Sequence, residues 1–339
     1  MKRLVVMVLI AAACSLSGCD SNSPRRSGPA ALNLEPDADR PAAFDRHVTI
    51  SIVPKSLDNP VFLDTKEAAQ IRAAELSIRL EWVAPFHADT EQQLEIMRWL
   101  INRGVDGILV SCNDPAALEP IINEGIAAGV RIATFDSDSP HSDRLFYIGT
   151  NNYQAGRMAA EAAVELLGET RDPRVVIISG RREAHNLNER IRGFQDRMEE
   201  SSEPDYLSIL YSNDDINLAQ ELTEHAVNSF EEVDLIYFSG GWAFMGPLDS
   251  LEGYRRWLMA GGLAVTIDSH YPILMAAQDE MVNILVGQDF AEMGREGVSL
   301  LFNAIHGEAT EPVIFTDTIR VDADQAPLLL SQARNYELK

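Results

Sequence analysis

The sequence predicts an α/β protein of two doubly wound parallel-sheet lobes. Two observations predict it. From residue 47 onward, short β-branched runs alternate with segments of helical spacing, the rhythm of parallel sheets covered by helices on both faces. The rhythm persists for roughly 290 residues, which is more units than one ordinary sheet holds, and a division into two lobes is the natural solution.

The elements follow in order. His47–Val53 is a β-branched run, Val61–Leu76 has helical spacing, and Ile78–Val83 reads as a second strand. Asp89-Thr-Glu-Gln92 has the form of a capping box and opens a helix to Arg103. Gly107–Val110 is a short buried strand. Asp114-Pro115 then supplies an N-cap and a first-turn proline for a helix to Ala128. Strands at Arg131–Phe135 and Phe146–Gly149 complete the first lobe, and a helix over Gln154–Leu167 opens the second. Further strands are expected at Arg174–Ser179, Leu207–Tyr211, Leu235–Ser239, Leu263–Ile267 and Asn283–Val286, with helices between them. The chain closes with a helix near Met293–Ile305, a strand near Val313–Val321 and a short helix near Gln325–Ala333.

The amino terminus addresses the chain to a compartment. Lys2 and Arg3 precede an uncharged run, Leu4–Ala13, that is too short to span a bilayer and has the shape of a secretory signal. Leu16-Ser17-Gly18-Cys19 resembles the bacterial lipobox. That resemblance implies cleavage after residue 18, lipidation of Cys19 and attachment to the extracytoplasmic or periplasmic face of a membrane. Residues 19–46, rich in Pro, Ser, Ala and charge, read as a flexible tether.

Composition excludes several functions. The net charge is −24, and it becomes two units more negative when Lys2 and Arg3 leave with the signal. Such a chain repels phosphate backbones, so nucleic acid is not an expected partner. With Cys14 removed and Cys19 acylated, Cys112 has no disulfide partner. His47, His87, His141, His185, His225, His270 and His306 are scattered without metal-ligand spacing, so no metal is expected. No Gly-x-Gly-x-x-Gly follows the first strand, and neither a phosphate-binding loop nor a Gly-x-Ser-x-Gly elbow occurs. Neither an enzyme nor a cofactor is expected. The place of a DNA-binding domain is taken by the signal and tether.

In open α/β sheets the ligand lies beyond the carboxyl ends of the strands. The segments there are Leu57-Asp-Asn-Pro-Val-Phe62, Phe135-Asp-Ser-Asp-Ser139, Tyr147-Ile-Gly-Thr-Asn-Asn-Tyr-Gln-Ala-Gly156, Asn188-Glu-Arg-Ile-Arg-Gly-Phe194, Ile267-Asp-Ser269 and Gly287-Gln-Asp289. Their order and spacing resemble the sugar-binding proteins of the ribose/galactose type, the type I periplasmic binding proteins that share a fold with LacI-type ligand domains. The resemblance runs from about His47 to Val321, and it implies lobes over 47–149 plus 289–317 and over 150–288 plus 318–335, joined by a three-stranded hinge with crossovers near Gly149-Thr150, Gln288-Asp289 and Asp317-Thr318. It implies a monomeric protein that captures a sugar or polyol by hinge closure and passes it to the permease of an ATP-binding-cassette transporter. The same fold could instead present its ligand to a membrane receptor or histidine kinase.

The resemblance assigns ligand contacts to Asn59, Asp136, Asp268 and Gln288, and an aromatic surface for the sugar ring to Phe62. Ser111, Asn113, Ser137, Asn186, Asn188, Arg190, Gly240 and Trp242 occupy or flank further contact positions. The chemistry suits hydroxyls, which both donate and accept, while an aromatic ring suits the apolar face of a pyranose. Each residue also has a plain structural reading. Asn59-Pro60 and Asp136 serve as turns, Phe62 and Trp242 as core, and Arg190 as helix packing. Departures from the ribose pattern are Ser137 and Asn188 where arginines are usual, Ser212-Asn-Asp-Asp215 where an aromatic is usual, and Gly240-Gly-Trp242 where a polar pair is usual. Trp242 is expected to replace the missing ring.

Overall fold

The computed structural model describes residues 47–168, 172–230 and 232–337, with side chains described as far as 331. The signal segment, Cys19 and the tether lie outside the described residues.

The first lobe begins with β1 (Thr49–Val53), α1 (Phe62–Glu75), β2 (Arg79–Trp82), α2 (Thr90–Arg103), β3 (Gly107–Val110), α3 (Pro115–Ala127), β4 (Arg131–Phe135) and β5 (Tyr147–Thr150). The second lobe follows with α4 (Asn152–Leu167), β6 (Arg174–Ser179), α5 (His185–Glu199), β7 (Asp205–Tyr211), α6 (Ile216–Ser229), β8 (Leu235–Phe238), α7 (Glu252–Met259), β9 (Leu263–Ile267), α8 (Tyr271–Gln278) and β10 (Ile284–Gln288). The chain then returns to the first lobe through α9 (Phe290–Ile305) and β11 (Val313–Thr316). It ends in the second with β12 (Thr318–Asp322) and α10 (Ala326–Glu337).

The sheet orders are β11-β5-β4-β3-β1-β2 and β12-β10-β9-β8-β6-β7. Every pairing is parallel except β10 with β12. The strand order reverses between β1 and β3 in one lobe and between β6 and β8 in the other, which places a crevice at each reversal. The single strand expected at Val313–Val321 is two strands. It breaks at Asp317, and its halves pair with different sheets, β11 with β5 and β12 with β10.

Strand alternation sorts the cores. Ile50, Ile52 and Leu109 face α1 and α9, whereas Val53, Ile108 and Val110 face α2 and α3. In the second lobe, Val175, Ile177 and Tyr237 face α4 and α5, whereas Val176, Ile178 and Phe238 face α6, α7 and α8. Burial on both faces explains why these strands read as continuous apolar runs. Short polar residues start the helices. The side chains of Asp89, Asn151, Asp215 and Asp289 each accept from the amide three residues on, and Asp114 accepts from Ala116 and Ala117.

Two glycines let α4 and α5 meet backbone to backbone. A Cβ on Gly156 would overlap the Arg190 carbonyl oxygen, and one on Gly193 would overlap that of Tyr153. This contact seats Arg190 at the inner end of α5. Gly294 of α9 does the same against Thr65 of α1. Gly193→Ala is therefore expected to destabilise the protein by about 1–3 kcal/mol through overpacking. Urea unfolding measures it, and an unchanged midpoint would contradict so close a contact.

Candidate functional site

Side chains from the carboxyl ends of both sheets converge on one cleft. Its lining is Lys55, Asn59, Val61, Phe62, Asp136, Asn186, Leu187, Arg190, Asp214, Trp242, Asp268, Gln288 and Phe290, around a cavity of about 30 Å³. That volume admits one or two water molecules.

In the first lobe, the loop after β1 carries Lys55, Asn59 and the start of α1. Lys55 is only 5% exposed, and its Nζ donates to Asn186 Oδ1 at 3.1 Å. Asn59 Oδ1 accepts from the Val61 amide at 3.1 Å, so the residue both begins α1 and faces the cleft. Phe62 lies edge-on to Phe135 and Phe290, with ring centroids 6.0 and 5.8 Å away. It is at once core and cleft wall.

Asp136 follows β4 in left-handed backbone, φ 55°, and Asp268 follows β9 at φ 88°. Such values are uncommon for residues other than glycine and turn each carboxylate inward. Ser111 Oγ donates to Asp136 Oδ2 at 2.6 Å, and Asn186 Nδ2 donates to Oδ1 at 3.1 Å. Asn113 Nδ2 donates to the Lys55 carbonyl at 3.0 Å, and the Ser137 carbonyl accepts from the Cys112 amide at 2.9 Å. Ser111, Asn113 and Ser137 thus stand behind the cleft wall and brace it. Cys112 is free and buried beside them, and burial pushes its thiol pKa up, which disfavours the thiolate.

The second lobe contributes a connected polar chain. Arg190, 2% exposed, donates to Asn152 Oδ1 at 2.8 Å, the Ser239 carbonyl at 2.9 Å and Gln288 Oε1 at 2.7 Å. Gln288 Nε2 donates to Asp268 Oδ1 at 2.6 Å, and the Gly241 amide donates to Asp268 Oδ2 at 3.0 Å. Thr150 Oγ1 also donates to Gln288 Oε1, at 2.8 Å. Thr150 ends β5 and Gln288 ends β10, so this bond ties two of the crossovers together.

Trp242 is 6% exposed and belongs to the second-lobe core, yet its indole also lines the cleft. Gly240 makes room for it, because a Cβ there would overlap the ring. The Trp242 Nε1–H has no acceptor among the described residues.

Asn188 does not join the cleft. It is exposed, and its Nδ2 donates to the Arg182 carbonyl at 2.9 Å. The cause is helical geometry: Asn186 and Arg190, four apart on α5, share a face, whereas a residue two places along points away. Sequence reasoning also missed Lys55 and Asp214. Lys55 follows β1 by two residues. Asp214 lies just beyond β7 in the segment noted only for lacking an aromatic. Burial pushes the Asp214 carboxyl pKa above its ordinary value, opposed by the charges of Lys55 and Arg181.

The lobes touch directly. Asn186 bridges Lys55 and Asp136 of the first lobe, and at the rim Arg181 donates to the Ala88 carbonyl at 3.0 Å and to Thr90 Oγ1 at 3.3 Å. Arg190→Lys keeps the charge but cannot reproduce three divergent bonds. Each lost bond is expected to cost about 1–3 kcal/mol, because its acceptor stays buried. A thermal-unfolding midpoint equal to wild type would contradict this network.

Comparison with known proteins agrees with the fold. A family model described as the periplasmic binding protein domain matches residues 50–309. The ribose import binding protein of Bacillus subtilis is 19% identical over 316 residues, covering 93% of this chain and 97% of that protein. A crystal structure of an ABC transporter solute binding protein from Burkholderia graminis, in complex with D-arabinose, is 28% identical. It superposes with a TM-score of 0.76 and covers 82% of this chain and 96% of the other. A glucose-galactose binding protein from Geobacillus stearothermophilus is 26% identical with a TM-score of 0.77, covering 83% of this chain and 99% of its own. The chain belongs to the periplasmic binding protein domain family.

Proposed function

We propose that this protein captures a sugar or sugar-like ligand outside the cytoplasm by closing its two lobes, and delivers it to the permease of an ATP-binding-cassette transporter. The observation that carries the reading is the makeup of the cleft. Asp136, Asp268, Asn59, Asn186 and Gln288 reach it from both lobes, flanked by Phe62 and Trp242. Carboxylates accept from hydroxyls, and amides and Lys55 donate to them. The aromatic faces suit the apolar side of a sugar ring. Relatives named as import or solute binding proteins support a role in uptake rather than catalysis.

A cavity of about 30 Å³ is far below the several hundred Å³ of ordinary ligand pockets. Ligand entry therefore requires the lobes to part, and the Thr150–Gln288 contact is where they would turn. A ligand that bonds to both lobes stabilises the closed arrangement by its preference for it. The contacts of Asn186 with Lys55 and Asp136 are the ones a ligand would exchange for its own.

The lipobox resemblance supports anchoring of the monomeric domain through Cys19 to the outer face of a membrane, with residues 20–46 as tether. Metabolic labelling with a fatty acid is expected to mark the wild-type protein and not Cys19→Ala. Labelling of both would contradict the anchor. Capture itself is checked by thermal shift with D-ribose, D-arabinose, D-allose, D-glucose and D-galactose. A binding sugar at about 100 times its Kd adds about 2.7 kcal/mol to stability and raises the midpoint. No shift with any of them would contradict sugar capture.

A further inference from the structure

Asp214 enters the cleft through an unusual bend. Asn213 and Asp214 are both in left-handed backbone, φ 55° and 64°. The bend brings the carboxylate over Gly180, where a Cβ would overlap Asp214 Oδ1 and stand 2.7 Å from the Trp242 ring. Glycine at 180 therefore lets Asp214 and Trp242 stand side by side. Asp214 Oδ1 accepts from the Arg181 amide at 3.1 Å, and no described residue donates to Oδ2. The indole meets this point with Cη2 of its six-membered ring, and its Nε1–H, on the five-membered ring, is buried without an acceptor among the described residues. A buried donor left unpaired is costly, and pairing it with a ligand oxygen recovers that cost.

The charges of the cleft point the same way. Asp136, Asp214 and Asp268 face Lys55 and Arg190 there. Arg190 is already committed to Asn152, Ser239 and Gln288, which leaves Lys55 as the cation with capacity for a ligand. With its three carboxylates ionised against these two cations, the lining carries one formal negative charge in excess.

Building on the sugar-capture reading, we propose that Asp214 and Trp242 form a paired acceptor and donor that selects an uncharged polyhydroxylated ligand. One ligand hydroxyl donates to Asp214 Oδ2, and another ligand oxygen accepts the Trp242 Nε1–H. The surplus carboxylate charge excludes sugar acids and sugar phosphates. Asp214 lies in the segment where the ribose pattern carries an aromatic ring, and it exchanges stacking for hydroxyl recognition.

The test is calorimetry on the wild-type protein and on Asp214→Asn and Trp242→Phe. The probes are the five neutral sugars above, together with D-galacturonate and D-ribose 5-phosphate. The neutral sugar that binds best is expected to lose about ten- to hundredfold in affinity in each variant, because a charged or buried hydrogen bond is removed. Trp242→Phe retains a ring, so its loss reports the N–H rather than stacking. The two anions are expected to bind at least about a hundredfold more weakly than that sugar, through like-charge repulsion. Wild-type affinity in both variants, or an anion bound as tightly as the best neutral sugar, overturns this inference and leaves sugar capture standing. Failure of every probe to bind overturns sugar capture and the inference with it. Ligand-free melting checks folding, and if Asp214→Asn does not fold, Trp242→Phe and the anions decide.

Discussion

The structure turns on Gln288, where hinge and cleft are the same residue. Its Oε1 accepts from Thr150 at one crossover and from Arg190 in the second lobe, and its Nε2 donates to Asp268 at the cleft wall. A change in the cleft is therefore a change in the bonds of the hinge. The geometry behind this is general to parallel sheets, whose strand ends all face one way. Two such sheets joined at those ends must place their connections beside their binding residues. The close approach of α4 and α5 through Gly156 and Gly193 completes the arrangement, because it fixes Arg190 between Asn152, Ser239 and Gln288.

Much of the fold was legible in the sequence because its signals are local. β-Branched runs, the caps at Asp89 and Asp114 and the first-turn Pro115 declare their elements without reference to the rest of the chain. The switch at Asp317 was less visible as strand structure. Val313–Val321 reads locally as one run, and its division at Asp317-Thr318 was expected from the family's lobe crossovers rather than from any local signal. Pairing partners are a tertiary fact, fixed by β5 and β10.

The cleft was legible to a smaller extent, for a related reason. Family spacing pointed to Asp136, Asp268, Gln288 and Asn59, and all four meet at the cavity. Spacing could not separate wall from support. Ser111, Asn113 and Ser137 lie one layer behind, where Ser111 holds Asp136 and Asn113 holds Lys55. Asn188 faces outward because a helix turns by about 100° per residue, so residues two apart such as Asn186 and Asn188 lie on opposite faces. Lys55 and Asp214 were passed over because a charged residue after a strand is ordinarily solvated. Here one is 5% exposed and the other is drawn inward by two left-handed residues.

The central claim is that the lobes close on a ligand as one coupled unit, and a distance across the rim tests it most directly. Glu91 and Glu183 are exposed on opposite lobes beside the Arg181 contacts, and buried Cys112 would not compete for a thiol label. Electron-electron resonance between spin labels at Glu91→Cys and Glu183→Cys in the mature protein measures the separation. Saturation with the sugar that gives the largest thermal shift should collapse a distribution containing longer distances to one short distance. The same distribution with and without that sugar would contradict closure.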